Sequence, residues 1–364
     1  MRKHYIDNIR WGTIVLVVFY HVIYMYNGIT VGVMGPFKEV QYQDCLQYLL
    51  YPWFMLLLFV ISGMSSRFYL ESHSEMEYIK SRTRKLLVPG TIGILVFGWI
   101  QGYYNMLIGG AFDTKELSSL PKPALFFIMA FSGTGVLWFI QMLWLLSLLL
   151  IVVRKLEKDR LYTMGNKCGI IALLLFTFFI YLSAQILNTP VIAVYRFGIY
   201  ATGFFIGYFV LSHDEVIERL SKHWIFLSLA AVVLGITYTV LYFGENYAVA
   251  PTVNCPLACI YAWIMTLAIL AFMKLHGDRE TWLTKWMNKK SWGLYVFHYL
   301  PLSMTAWYLH LYAAKMPAVC CYLLCALSSF AAGILIFEII RRIPILRWCV
   351  LGLKKEEWAK RPLV

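Results

Sequence analysis

The feature that most constrains this chain is its succession of apolar stretches, most of them close to membrane-spanning length and joined by short polar links. A helix needs roughly 20 residues to cross about 30 Å of hydrocarbon. Ten segments approach that length, at 10–27, 46–66, 86–108, 124–153, 168–187, 197–212, 224–243, 255–274, 291–311 and 317–340. The fourth is overlong, and a break near Gly133 and Gly135 is expected. Of the 364 residues, 60% are hydrophobic and 14% charged, more apolar surface than one soluble core of that size takes up. The sequence predicts an all-α polytopic membrane protein with about ten transmembrane helices.

An even number of crossings puts both termini on one side. Most of the 32 Lys and Arg then fall in the terminal segments and in the loops on their side, which the positive-inside rule makes cytoplasmic. The formal charge of +13 becomes an inner-surface excess facing anionic lipids, and no nucleic acid is implied. The first apolar run follows Arg2, Lys3 and Arg10 but continues to about Tyr26 without a small-residue cleavage pattern, so it is read as a retained span. Residues 1–340 are expected to form the membrane domain and 341–364 a basic cytoplasmic tail. The 8 Cys make neither a disulfide framework nor a zinc pattern, and no metal is expected. GxSxG, HExxH, CxxC and a Gly-rich phosphate loop with Lys are all missing, which removes support for hydrolase, metalloprotease and ATPase readings.

The polar residues inside the spans carry the rest. In "NIRWGTIVLVVFYH" the step from Arg10 to His21 is about 20° past three full helical turns, so both lie on one stripe, with Asp7 near it. His21 then sits roughly 16 Å beyond Arg10, too far for any Asp7 contact, and its partner must come from another helix. A buried structural His and a functional one both fit; within hydrocarbon an ionisable group points to function. An imidazole at that depth suits proton abstraction from a hydroxyl supplied from outside the cytoplasm. Arg10 at the inner end of a first span also fits topology alone. Ser62 and Gly63 offer close helix packing, as does "GFFIG" at Gly203–Gly207. Arg67, Arg82, Arg84 and Lys85 read as an interfacial cationic surface or as a phosphate clamp. His298 is a second intramembrane His. Glu338 is expected to pair with Arg341 or Arg342 at i+3 and i+4. Trp138, Gln141 and Arg196 are candidates to line a pocket.

Arg10 and His21 in the first span, "FVISG" closing the second, "RTRKLLVP" opening the third, "LWF" in the fourth and "YVFH" in the ninth occur in the order seen in the membrane acyltransferase-3 family, and the chain resembles that family over nearly its whole length. "YIDNIR", "LYVFHYLPL" and "EIIRRIPILRWCVLG" are most similar to its branch of periplasmic-glucan succinyltransferases and exopolysaccharide-modifying proteins. The resemblance implies a multi-pass protein of the bacterial cytoplasmic membrane that transfers an acetyl or succinyl group. Its donor would be cytoplasmic acyl-CoA (acetyl-CoA or succinyl-CoA), and its acceptor a hydroxyl of an extracytoplasmic carbohydrate. It also implies that Arg10 and His21 are the functional pair, and that Arg82, Arg84 and Lys85 form a basic group at the inner mouth. Thr83 separates two arginines that are often adjacent in the family. A covalent acyl-His route and direct attack both remain open. The rival reading is a transporter or exporter of a polysaccharide or acylated intermediate, which many spans with intramembrane His and Glu also suit.

Overall fold

The computed structural model describes residues 3–29, 34–37, 41–114, 117, 119–189 and 194–355. Among them the fold is helical, apart from one isolated bridge between Asn188 and Arg196. Seven helices are long and apolar enough to cross a membrane: α1 (His4–Tyr24), α2 (within Tyr42–Leu70), α3 (Glu75–Ile108), α5 (Gly135–Glu157), α8 (Trp224–Tyr242), α9 (Pro256–His276) and α12 (Ala318–Ile340). Shorter apolar helices are α4 (Lys122–Ser132), α6 (Ile170–Ala184) and α7 (Phe197–Leu211). Helices α10 (Trp282–Phe297) and α11 (Tyr299–Tyr312) follow one another directly, with His298 at their joint. A final helix, α13, spans Pro344–Leu351. The tail beyond residue 355 lies outside the described residues.

Burial orders these elements. In the most apolar window of Tyr42–Leu70, 83% of residues are buried, against 28% in the windows of α8 and α12. Helix α2 is therefore central. Helices α8 and α12 turn Phe226, Val233, Val240, Leu323 and Leu335 outward, as a lipid-facing surface requires. The 15-residue α6 also exposes an apolar side, with Ile171, Leu175 and Phe178 on it.

The small residues noted in the sequence set the approach of α2 to α7. A Cβ on Gly63 would lie 1.9 Å from the Phe204 carbonyl oxygen, and one on Gly207 would lie 2.1 Å from that of Val60. Backbone touches backbone here, so no side chain can move aside. Gly207→Leu is expected to destabilise the fold by about 1–3 kcal/mol through overpacking. Thermal unfolding in detergent measures it, and an unchanged midpoint would contradict this packing.

Two of the expected spans are interrupted where it matters for the site, the first near Gly133 and Gly135 as the sequence indicated. The segment expected at 124–153 is two helices, interrupted at Gly133–Thr134, with Gly135 at φ +43°. Its cause is tertiary: α3 and α4 cross so closely that a Cβ on Gly133 would lie 1.8 Å from the Gly98 carbonyl oxygen. The segment expected at 291–311 begins earlier, at Trp282, and is divided at His298. Helix α3 is irregular too, with π-helical turns at Thr83–Leu87 and Ile94–Gly98.

Candidate active site

At one end of α1, Arg10 donates from Nη2 to Ser65 Oγ (2.9 Å) and from Nη1 to Asp7 Oδ1 (3.1 Å). It shares an open cleft, with about 870 Å³ of empty space, with Arg82 and Lys85 of α3. Ile14 of α1 and Leu58, Ser62 and Ser65 of α2 form one wall. Phe139, Ile140 and Leu143 of α5 form another, and Asn288, Ser291, Trp292 and Tyr295 of α10 a third; Leu351 of α13 also lines it. The lining carries three cations and no carboxylate, a charge balance that suits an anion. Ser62 Oγ and Ser65 Oγ donate to the carbonyls of Leu58 (2.7 Å) and Ile61 (2.8 Å), which leaves their oxygens as acceptors.

Arg82 and Arg84 diverge. Arg82 packs its guanidinium over the Tyr78 ring and donates to Ser66 Oγ (3.1 Å). Arg84 lies outside the cleft lining and donates to the carbonyl of Gly352 (2.8 Å), while Thr83 between them accepts from Trp144 Nε1 (3.1 Å). Gly352, at φ +64°, ends α13 against the backbone of Arg84 and Lys85, where a Cβ would be 2.2 Å from the Arg84 oxygen. Trp292 Nε1 donates to the neighbouring Leu351 carbonyl (3.2 Å). The C-terminal turn is thus strapped across the cleft wall. Arg84→Ala removes a charged donor from this strap, a loss of about 1 kcal/mol or more. The expected readout is faster tryptic cleavage after Lys354 at an unchanged global unfolding temperature; equal cleavage rates would contradict the strap.

Farther along α1, His21 meets His298. The Nε2 of His298 lies 3.2 Å from Nδ1 of His21, and the ring centroids are 5.2 Å apart. Hydrogen positions follow from the partners. Nδ1 of His298 faces the carbonyls of Leu294 and Tyr295, both at 3.0 Å, so it carries the proton and Nε2 is an acceptor. Nδ1 of His21 faces that acceptor and the Val17 carbonyl at 2.8 Å, so it carries a proton too. The lone pair of His21 is left on Nε2. Tyr299 is set edge-on to the His21 ring at 5.1 Å.

The other sequence candidates lie elsewhere. Arg67 stacks on Tyr162 (3.4 Å) and pairs with Asp159 (2.8 Å) and Glu71 (3.4 Å). Glu338 pairs with Arg341 and Arg342, as the spacing suggested, and also with Lys290 of α10. Gln141 links the Gly90 carbonyl (2.7 Å) to the Tyr195 hydroxyl (2.8 Å), and Trp138 packs among the rings of Phe59, Tyr195 and Tyr200. Arg196, 3% exposed, donates to Asn254 Oδ1 (2.8 Å). Sequence reading missed Asn288, Ser291 and Tyr295, although their three- and four-residue steps form a stripe leading to His298.

Comparison of the chain with curated proteins and with solved structures found no match. The sequence profile of the acyltransferase-3 family, described as an acyltransferase domain, matches residues 3–338. The chain, a multi-pass protein by its apolar helices, therefore belongs to the acyltransferase-3 family.

Proposed function

We propose that this protein transfers an acetyl or succinyl group from cytoplasmic acyl-CoA to a hydroxyl of an extracytoplasmic carbohydrate, with His21 as general base. The observation that carries the reading is the His21–His298 contact between α1 and the α10–α11 joint, with His298 buried, His21 partly exposed and one nitrogen lone pair left for chemistry. The basic cleft supports the donor assignment. Arg10, Arg82 and Lys85 suit the phosphates of CoA, and the roughly 16 Å of α1 from Arg10 to His21 is a span an extended pantetheine arm can cover.

In this mechanism His21 Nε2 takes the proton of the acceptor hydroxyl as its oxygen attacks the thioester carbonyl. The tetrahedral oxyanion collapses, the C–S bond breaks, and the proton held on His21 passes to the departing CoA thiolate. His298 accepts the hydrogen bond from His21 Nδ1–H and so holds the productive tautomer. Taking α4 with α5 and α10 with α11 as single crossings gives ten passes, with both termini cytoplasmic in a bacterial inner membrane.

The test is transfer of label from radiolabelled acetyl-CoA and succinyl-CoA to extracytoplasmic glycan in inner-membrane vesicles carrying the protein. Label on glycan from either thioester is the expected result. Movement of glycan across the membrane without thioester, and no labelling, would overturn the reading in favour of an exporter.

A further inference from the structure

A second, small cavity lies beside the cleft, and its lining reaches Tyr299, next in sequence to His298. On α3, α5 and α10 its lining begins where that of the cleft ends, while α1 and α2 line the cleft alone: Pro89 follows Leu86 on α3, Leu137 precedes Phe139 on α5, and Val296 follows Tyr295 on α10. Tyr295 lines the cleft and its hydroxyl donates to the carbonyl of Val136, which lines the inner chamber. That hydrogen bond ties the two spaces together at their junction. Tyr299, edge-on to His21, lines the chamber as well.

Three helices are interrupted around this one space: α3 by the π turn at Ile94–Gly98, the α4–α5 pair at Gly133–Thr134, and α10–α11 at His298. Irregular backbone at membrane depth is tolerated where it is buried in protein or lines a cavity, so three breaks at one place mark a space the fold maintains. Gln101 gives an independent sign. Only 6% exposed, it lines the chamber and donates from Nε2 to Asn105 Oδ1 (2.8 Å) and Ser303 Oγ (2.9 Å), while its Oε1 has no hydrogen-bond partner.

The remaining lining is glycine, proline, threonine and apolar side chains, with no cation or carboxylate. We propose that this chamber is the acyl-group subsite and that it takes a short, uncharged acyl group, acetyl rather than succinyl. This rests on the acyl-CoA reading above. A terminal carboxylate would be desolvated there without a counter-charge and beside the bare acceptor of Gln101.

The same vesicle assay, run with labelled acetyl-, butyryl- and succinyl-CoA, tests it through ratios that do not depend on expression level. The wild type is expected to use acetyl-CoA with kcat/KM about a hundredfold above succinyl-CoA. Phe97→Ala enlarges the chamber and should raise the butyryl-to-acetyl ratio about tenfold, while Val296→Phe should lower it by a similar factor. Should either variant fail to fold, Phe97→Leu and Val296→Ile shift the ratio in the same directions by less. Succinyl-CoA used as well as acetyl-CoA, or ratios within twofold of wild type in the folded variants of both positions, would overturn the subsite. Absence of label from every thioester would instead bring down the acyl-CoA reading, and the subsite with it.

Discussion

His21→Ala is expected to lower kcat for acyl transfer about a thousandfold, with KM for the donor within about twofold of wild type. The magnitude is what a positioned general base contributes. The split between kcat and KM follows from distance, because the cations of the cleft lie at the other end of α1, roughly 16 Å from the imidazole. The fold should survive, since the hydrogen bonds that His21 makes run to Val17 on its own helix and to His298. Steady-state kinetics in vesicles, with a detergent unfolding midpoint for each variant, are the measurement. A folded variant that keeps more than a tenth of wild-type kcat would remove His21 from the chemistry.

His298→Ala is expected to cost about a hundredfold in kcat, less than loss of the base itself. Without the Nε2 acceptor, His21 Nδ1–H keeps only the Val17 carbonyl, and its ring is freer to present the wrong nitrogen. His298→Gln can place its amide oxygen near the lost Nε2 and should recover part of the rate. Rescue by Gln separates a positioning role from simple packing, which Gln and Ala would disturb alike. If Gln is as slow as Ala while both remain folded, the acceptor at this position is not what matters.

The parts of the site legible in the sequence were those fixed by helical arithmetic. Arg10 and His21 share a stripe because eleven helical steps close on three turns, and Arg82 and Lys85 reach the cleft with Arg10 because they share a face of α3. What spacing cannot give is the partner across the bundle. His298 is 277 residues from His21, and Lys290 joins Glu338 from another helix. Arg84 looked equivalent to Arg82, yet its direction is set by the carbonyl of Gly352, 268 residues away. The break at Gly133 was signalled by glycine, but its cause is the contact with Gly98 on α3, which no local propensity encodes. The apolar runs themselves were clear, because hydrocarbon demands length and continuity. The irregularities were not, because each is maintained by a neighbour.

The short helix α6 has a consequence for the surrounding lipid. At 15 residues it is about 22 Å long, well under the roughly 30 Å of a typical hydrocarbon layer, and its outward side is apolar. In the ten-pass topology proposed above, the hydrophobic mismatch beside it would be taken up by thinner lipid, by snorkelling flanking residues or by association with another chain. In that topology one flank of the protein would favour its own lipid neighbours, and bilayer thickness would become a variable to which the folded state is matched.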